Sequence, residues 1–415
     1  MSNNILESPA WVVPPLNIAR CEGATHVVAP LVRNPRYLTL DLWRGLACLM
    51  ILILHAANKA TEGSEAASGI GKIVLAVISR MGVGVPFFFV ISGYCIAATC
   101  DSTRRKPKAP TRYFYRRLRR ILPPYWALTI VTILVTMALT TVGQADLVSD
   151  EYGFVPHPAT LSWSQWLGNL TLTETWRPHL FGDSELKIVG PSWTLCYEEQ
   201  FYAVCGILIL VAPRRFFAGV AGVTLLTLAI MPFGGEAIQG FFFDGRWLMF
   251  AEGVAVYYLL NYTEGRRRGL VVFSLLLAAI VGIRWGIPGI AASEFWRQRV
   301  AEFIASTAFA LVITFLHRWD RQSAESRALR PIAICGQMCY SLYLVHWPVS
   351  VILTNAFYRS GVRGVTPTLL IVVPVTVLVS IAAAWIFHVK VERAFLNSPV
   401  EKSYAESASL SPSTR

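Results

Sequence analysis

Apolar residues in this chain fall in runs near twenty residues long, separated by short polar segments. A helix of about 20 apolar residues crosses roughly 30 Å of hydrocarbon, so the runs predict membrane spans. Placing a span wherever a run reaches that length gives candidates at 38–57, 71–99, 121–142, 192–212, 215–233, 243–261, 269–287, 299–316, 332–356 and 366–389. The expected fold class is an all-α polytopic membrane protein of about ten transmembrane helices. The even count puts both termini on one side. A single membrane domain is expected over 37–393, with a disordered cytoplasmic tail at 1–36 and a second cytoplasmic tail, rich in Ser, Ala and Glu, at 394–415. The first tail has no apolar core of signal-peptide type, and no internal repeat or second soluble domain stands out.

Composition agrees: 54% of residues are hydrophobic, 15% are charged, and the mean hydropathy is +0.49. The net charge of +12 raises nucleic-acid binding, but the placement of the charges argues against it. They sit in short loops: Arg104, Arg105, Lys106, Lys108 and Arg112 run into Arg116, Arg117, Arg119 and Arg120. Further groups are Arg214 and Arg215, Arg266 to Arg268, Arg318 to Arg330, and Lys390 with Arg393. With both termini inside, every basic loop faces the cytoplasm of an inner (plasma) membrane protein, while the loop 143–190 faces out with its acidic residues. Trp163, Trp166 and Trp176 in that loop suit the lipid interface. The partners expected are therefore membrane lipids, not nucleic acid. The eight cysteines lack the paired spacing of a zinc site or a disulfide framework, and no metal is expected.

Ionisable residues inside spans are costly, so each is a functional candidate: Asp41, Arg44, His55, Arg80, Glu198, Glu199, Asp244, Arg246, Glu252, Arg284 and His346. Arg80, Asp244, Arg246 and Arg284 lie near span ends, where snorkelling or pairing explains them equally well. The first span reads LTLDLWRGLACLMILILHAAN and sets Arg44 eleven residues before His55. At 100° and 1.5 Å per residue the two share a face, to within about 20°, and stand about 16 Å apart along the axis. A cofactor arm lying along that face could hold anionic groups at Arg44 and present an acyl carbon at His55, whose imidazole could take a hydroxyl proton. The plain alternative is a histidine that serves helix packing.

In TRYFYRRLRRILPPYW, Arg117 and Arg120 share a helix face and suit phosphates, though positive-inside anchoring accounts for them too. In PFFFVISGYCIA, Ser92 and Gly93 permit close helix approach. PSWTLCYEEQFYAV brings Trp193, Glu198 and Tyr202; Glu198 could orient His55, receive an acceptor hydroxyl, or simply pair with an arginine. CYSLYLVHWPVS carries His346, where packing and function are equally good readings.

These segments follow one another through residues 36 to 393, and their order closely resembles acyltransferase family 3, membrane acyltransferases of surface polysaccharides, lipids and some secondary metabolites. The resemblance implies ten core spans and an acyl-CoA donor, most often acetyl-CoA. It implies essential roles for Arg44 and His55, for Arg117 and Arg120, and for Glu198, with Asp41, Ser92, Trp193, Tyr202 and His346 as support. Trp43 and Thr194 depart from the family's usual residues. Many members carry a fused extracytoplasmic hydrolase-like domain, which is not expected here. The reading is an O-acyltransferase that moves an acyl group from acyl-CoA to a hydroxyl of a cell-envelope carbohydrate, exopolysaccharide or lipid-linked acceptor. Two other classes compete: a transporter of a lipid- or sugar-linked molecule, against which the missing repeat halves count, and a non-catalytic scaffold, which gives no reason for Arg44, His55 and Glu198 within spans.

Overall fold

Seventeen residues of helix at about 1.5 Å each nearly cover the hydrocarbon, and a helix of that length begins where the sequence places the first span. In the computed structural model, which describes residues 37–61, 69–150, 153–263, 269 and 293–396, nine helices build the bundle. They are α1 (Leu40–Ala56), α2 (Gly84–Thr103), α3 (Ala109–Thr141), α4 (Trp193–Val211), α5 (Phe216–Gly234), α6 (Arg246–Tyr262), α7 (Glu294–Leu316), α8 (Cys339–Arg359) and α9 (Val373–Phe387). All but residue 269 of the expected span at 269–287, with Arg284, the tail expected at 1–36, and residues 397–415 of the tail expected at 394–415 lie outside the described residues.

Six helical stretches among the described residues are long and apolar enough to cross a membrane: Gly69–Thr103, Ala109–Thr141, Gly190–Val211, Pro213–Gly234, Glu294–Glu325 and Val365–Leu396. α1 and α6, at 17 residues each, are shorter, and α8 mixes His, Trp, Tyr and Asn into its apolar run.

Two predicted spans are broken. The run 71–99 divides into a helix over Gly69–Ile78, a 3-10 turn over Met81–Val83, and α2. The second piece starts where Gly84 meets α1: a Cβ there would lie 2.7 Å from the Ala47 carbonyl oxygen. Arg80, in the break, caps the Ala76 carbonyl at 2.5 Å. The run 332–356 divides at Met338 into a helix over Arg330–Gln337 and α8. The first piece packs on α1 so closely that a Cβ on Gly336 would fall 1.6 Å from the Asp41 carbonyl oxygen. A further departure from an all-helical chain is a two-residue antiparallel pair, Ser149–Asp150 with Gly153–Phe154.

Contacts between side chains set the directions. α1 meets α2 antiparallel, with Arg44 at Cys95 and Ile51 at Gly84, and runs parallel to α8, with Cys48 at Cys339 and His55 at His346. α3 is antiparallel to α4, with Arg117 at Tyr202 and Phe114 at Gly206. α4, α6 and α7 run together, with Tyr197 at Arg246 and Glu252 at Thr307. One end of the bundle therefore gathers the basic loops: Arg104 donates to the carbonyls of Pro213 and Arg214 at 3.0 and 3.4 Å and to the Tyr262 hydroxyl at 3.1 Å. The other end gathers the 143–190 connection. There Arg177 is buried against Glu174 at 2.8 Å. Hydrogen bonds from Ser164 and Arg177 hold the Asp183 carboxyl down to about 2, so their contribution to stability is present at neutral pH and fades only as acid protonates that group.

Another tight crossing is between α2 and α6, where Gly93 and Gly253 let the backbones touch; a Cβ at Gly253 would lie 1.9 Å from the Val90 carbonyl oxygen. Both partners are backbone in long helices and cannot move aside. Gly253→Leu is expected to cost about 3 kcal/mol or more, read as a loss of monodisperse protein on detergent extraction and a lowered melting temperature.

Candidate active site

A cavity of about 1040 Å³ runs between α1, α2, α3, α4, α6, α7 and α8. Of the candidates from the sequence, Asp41, Arg44, His55, Ser92, Arg117, Arg120, Trp193, Glu198, Tyr202 and Arg246 line it, whereas Arg80, Glu199, Asp244, Glu252 and His346 do not. His346 is buried immediately behind His55.

Arg44 and His55 stand on the cavity face of α1, as their spacing predicts. Arg44 donates to Asp41 at 2.9 Å and to the Cys95 thiol at 2.8 Å, which holds the guanidinium near the basic end. The start of α1 is itself tied down by Asp320, whose carboxylate accepts from the backbone amides of Leu38 and Thr39 at 2.7 and 2.8 Å and from the Thr39 hydroxyl at 2.8 Å. Such a borrowed cap satisfies amides that the helix leaves open. His55 lies in the last turn of α1, toward the opposite end.

Glu198 accepts from the Tyr202 hydroxyl at 3.1 Å, and among the described residues no hydrogen bond joins it to His55. The partner of His55 is the ring of His346, 5.4 Å away between centroids. His346 Nδ1 lies 3.0 Å from the Leu342 carbonyl. A carbonyl only accepts, so that nitrogen carries the proton and Nε2 carries the lone pair in the neutral ring. Among the described residues Nε2 has no hydrogen-bond partner.

Arg117 reaches in from α3, donating to Thr99 at 2.7 Å and lying 5.3 Å from the Tyr202 ring centroid. Arg120 lines the same wall one turn on. Tyr202 thus sits between the arginine of the basic end and the carboxylate of Glu198.

Several lining residues were not singled out from sequence. Tyr340 and Tyr343 on α8 bond to the carbonyls of Ile121 and Pro191, and Trp347 packs on Gly190, where a Cβ would come within 2.7 Å of the indole. Their spacing in YSLYLVHW, at three and four residues, places them on one helix face with His346 and was the available signal. Glu302 on α7 was likewise not singled out, and it lines the cavity with Arg246 of α6, which was; nothing local joins them, because they are 56 positions apart in the chain. Seven described cysteines are unpaired thiols, and Cys21 lies outside the described residues. Among the described residues no group of His, Cys, Asp and Glu could hold a metal ion.

A family model for the acyltransferase domain matches residues 37–388, nearly all of the helical bundle and every cavity residue named above. The chain belongs to this acyltransferase family. It is a membrane acyltransferase, and the transporter and scaffold alternatives fall away. Acyltransferase MdmB of Streptomyces mycarofaciens is 24% identical over 341 residues, covering 76% of this chain and 80% of MdmB. A protein of Komagataeibacter xylinus named as a membrane-bound transacylase, BcsY, is 25% identical over 336 residues, covering 78% of this chain and 75% of its own. The O-acetyltransferase OatA of Staphylococcus aureus is 22% identical over 402 residues, covering 89% of this chain but 58% of OatA. No solved structure matches the chain.

Proposed function

We propose that this acyltransferase moves an acyl group, acetyl in the first instance, from acyl-CoA to a hydroxyl of a cell-envelope carbohydrate or related acceptor, with His55 as the general base. The observation that carries the reading is the sharing of one cavity by a basic end, Arg44, Arg117 and Arg120, and an imidazole, His55, at the far end of α1. Guanidinium groups pair with the phosphates of coenzyme A, and about 16 Å of helix separates Arg44 from His55, a length comparable with an extended pantetheine arm.

In this mechanism His55 accepts the proton of the acceptor hydroxyl as its oxygen attacks the thioester carbon. The carbon–sulfur bond breaks, the CoA thiolate leaves and takes the proton back from the imidazolium, and the new ester remains on the acceptor. His346 offers the unpartnered Nε2 lone pair beside His55 and would favour the imidazolium formed in passing; it is a positioning residue. Glu198, bonded to Tyr202, sits where it can meet the acceptor. Mass spectrometry of envelope glycans and lipids from cells with and without the gene tests the whole reading: loss of an acetyl ester from one glycan or lipid species is expected, and unchanged profiles would sink it.

The basic end is assigned to the cytoplasm of the plasma membrane, with both termini there, because only that orientation keeps the arginine loops inside. Reporter fusions at Lys106 and Asp183 are expected to report opposite sides, cytoplasmic and external respectively. The same side for both would overturn the arrangement.

A further inference from the structure

The two ends of the cavity differ in charge. Toward the basic end its walls carry Arg44, Arg117 and Arg120 against Asp41; toward the other end they carry Lys187 and Arg246 against Glu185, Glu198 and Glu302. The first set is net positive and fits an anionic donor. The second set has no excess of cations, so it offers no field to hold a phosphate or a polyanion, yet it is dense in hydrogen-bonding groups.

That second end is also built rather than loose. Arg246 lies 4.7 Å from the centroid of the Trp193 ring and 4.6 Å from that of Tyr197, and donates to Asp244 at 3.0 Å and to the Tyr197 hydroxyl at 2.7 Å. Asp244 is fully buried and also faces Arg299 at 3.5 Å; Arg299 in turn bonds Glu302 at 2.5 Å. The network fixes Trp193 and Glu302 before any ligand arrives, which lowers the ordering cost of binding. Gln298 donates to Glu302 at 3.3 Å and lines the same wall.

We infer that this end, formed by Trp193, Arg246, Gln298, Glu302 and Lys187, is the acceptor subsite and that it takes a neutral sugar. A held indole supplies an apolar platform for the C–H face of a pyranose. Planar carboxylate, amide and guanidinium groups around it accept from and donate to vicinal hydroxyls. The arrangement puts a sugar hydroxyl toward His55 and Glu198, Glu198 lying about 7.5 Å along α4 from Trp193. The inference rests on the O-acyl transfer proposed above and adds where the acceptor sits and what charge it carries.

The test is isothermal titration calorimetry on the full-length protein in nanodiscs, with cello-, malto- and chito-oligosaccharides as neutral probes, oligogalacturonate as the anionic one, and acetyl-CoA titrated separately. At least one neutral series is expected to bind wild type in preference to oligogalacturonate. Trp193→Ala should weaken that binding about tenfold or more while acetyl-CoA affinity is kept, and Trp193→Phe should restore most of it. Glu302→Gln, which removes one of the carboxylates that repel an anion, should shift preference toward oligogalacturonate. The subsite is overturned if no neutral series binds, if oligogalacturonate is preferred by wild type, or if Trp193→Ala leaves sugar binding unchanged or weakens acetyl-CoA equally. Failure of wild type to bind acetyl-CoA would instead strike the donor reading, with the sugar titrations still deciding the subsite.

Discussion

Replacing His55 with alanine is expected to lower acyl transfer by the purified protein about a hundredfold or more, the usual contribution of a positioned general base, while acetyl-CoA binding stays near wild type. The separation of effects follows from the geometry. His55 ends α1, about 16 Å from Arg44, so its removal leaves the basic end intact. The half-buried imidazole is also replaced at a cavity wall, where a smaller side chain adds space already open to the cavity. Activity within several-fold of wild type would sink the mechanism. His346→Gln gives a milder and different result: it keeps a polar side chain beside His55 but loses the imidazole fixed by the Leu342 carbonyl. A shifted pH–rate profile with a modest fall in kcat is expected, whereas a purely packing role for His346 would leave the profile where it was.

Replacing Arg117 and Arg120 together with alanine is expected to weaken acetyl-CoA binding about a hundredfold or more, since hydrogen bonds to charged groups contribute about 1.5–3 kcal/mol each. The measurement is a binding titration with acetyl-CoA against dephospho-CoA. Arg117 also holds Thr99 and lies on Tyr202, so the double lysine variant serves as the control for folding: it keeps the charge, loses the planar fork, and should bind with intermediate affinity. Unchanged affinity in the alanine variant would return both residues to anchoring the basic loop in the membrane interface.

Much of this protein was legible in the sequence because the bilayer imposes its demands locally. Run length alone located nine helices among the described residues, since every backbone group in hydrocarbon must be satisfied within its own segment. The same logic marked Arg44, His55 and Glu198, which are costly inside apolar runs, and helical periodicity put Arg44 with His55, Arg117 with Arg120, and Glu198 with Tyr202 on shared faces. What periodicity cannot supply is contact between segments. The breaks at Ser79–Arg80 and at Met338 arise where Gly84 and Gly336 let another backbone approach, and apolar runs do not record such approaches. Nor does local pattern join Asp320 to the start of α1, His346 to His55, or Arg246 to Glu302. Those pairs stand 281, 291 and 56 positions apart, and only the packing of the start of α1 on the end of α7 and the turn after it, of α1 against α8, and of α6 against α7 brings them together. The sequence by itself determined the membrane class, the family and a set of candidate residues, because burial cost and spacing are properties of one segment; the tertiary structure alone decided which of them face one another, because a charge or an imidazole in a bundle takes its partner from whichever helix the close crossings set beside it.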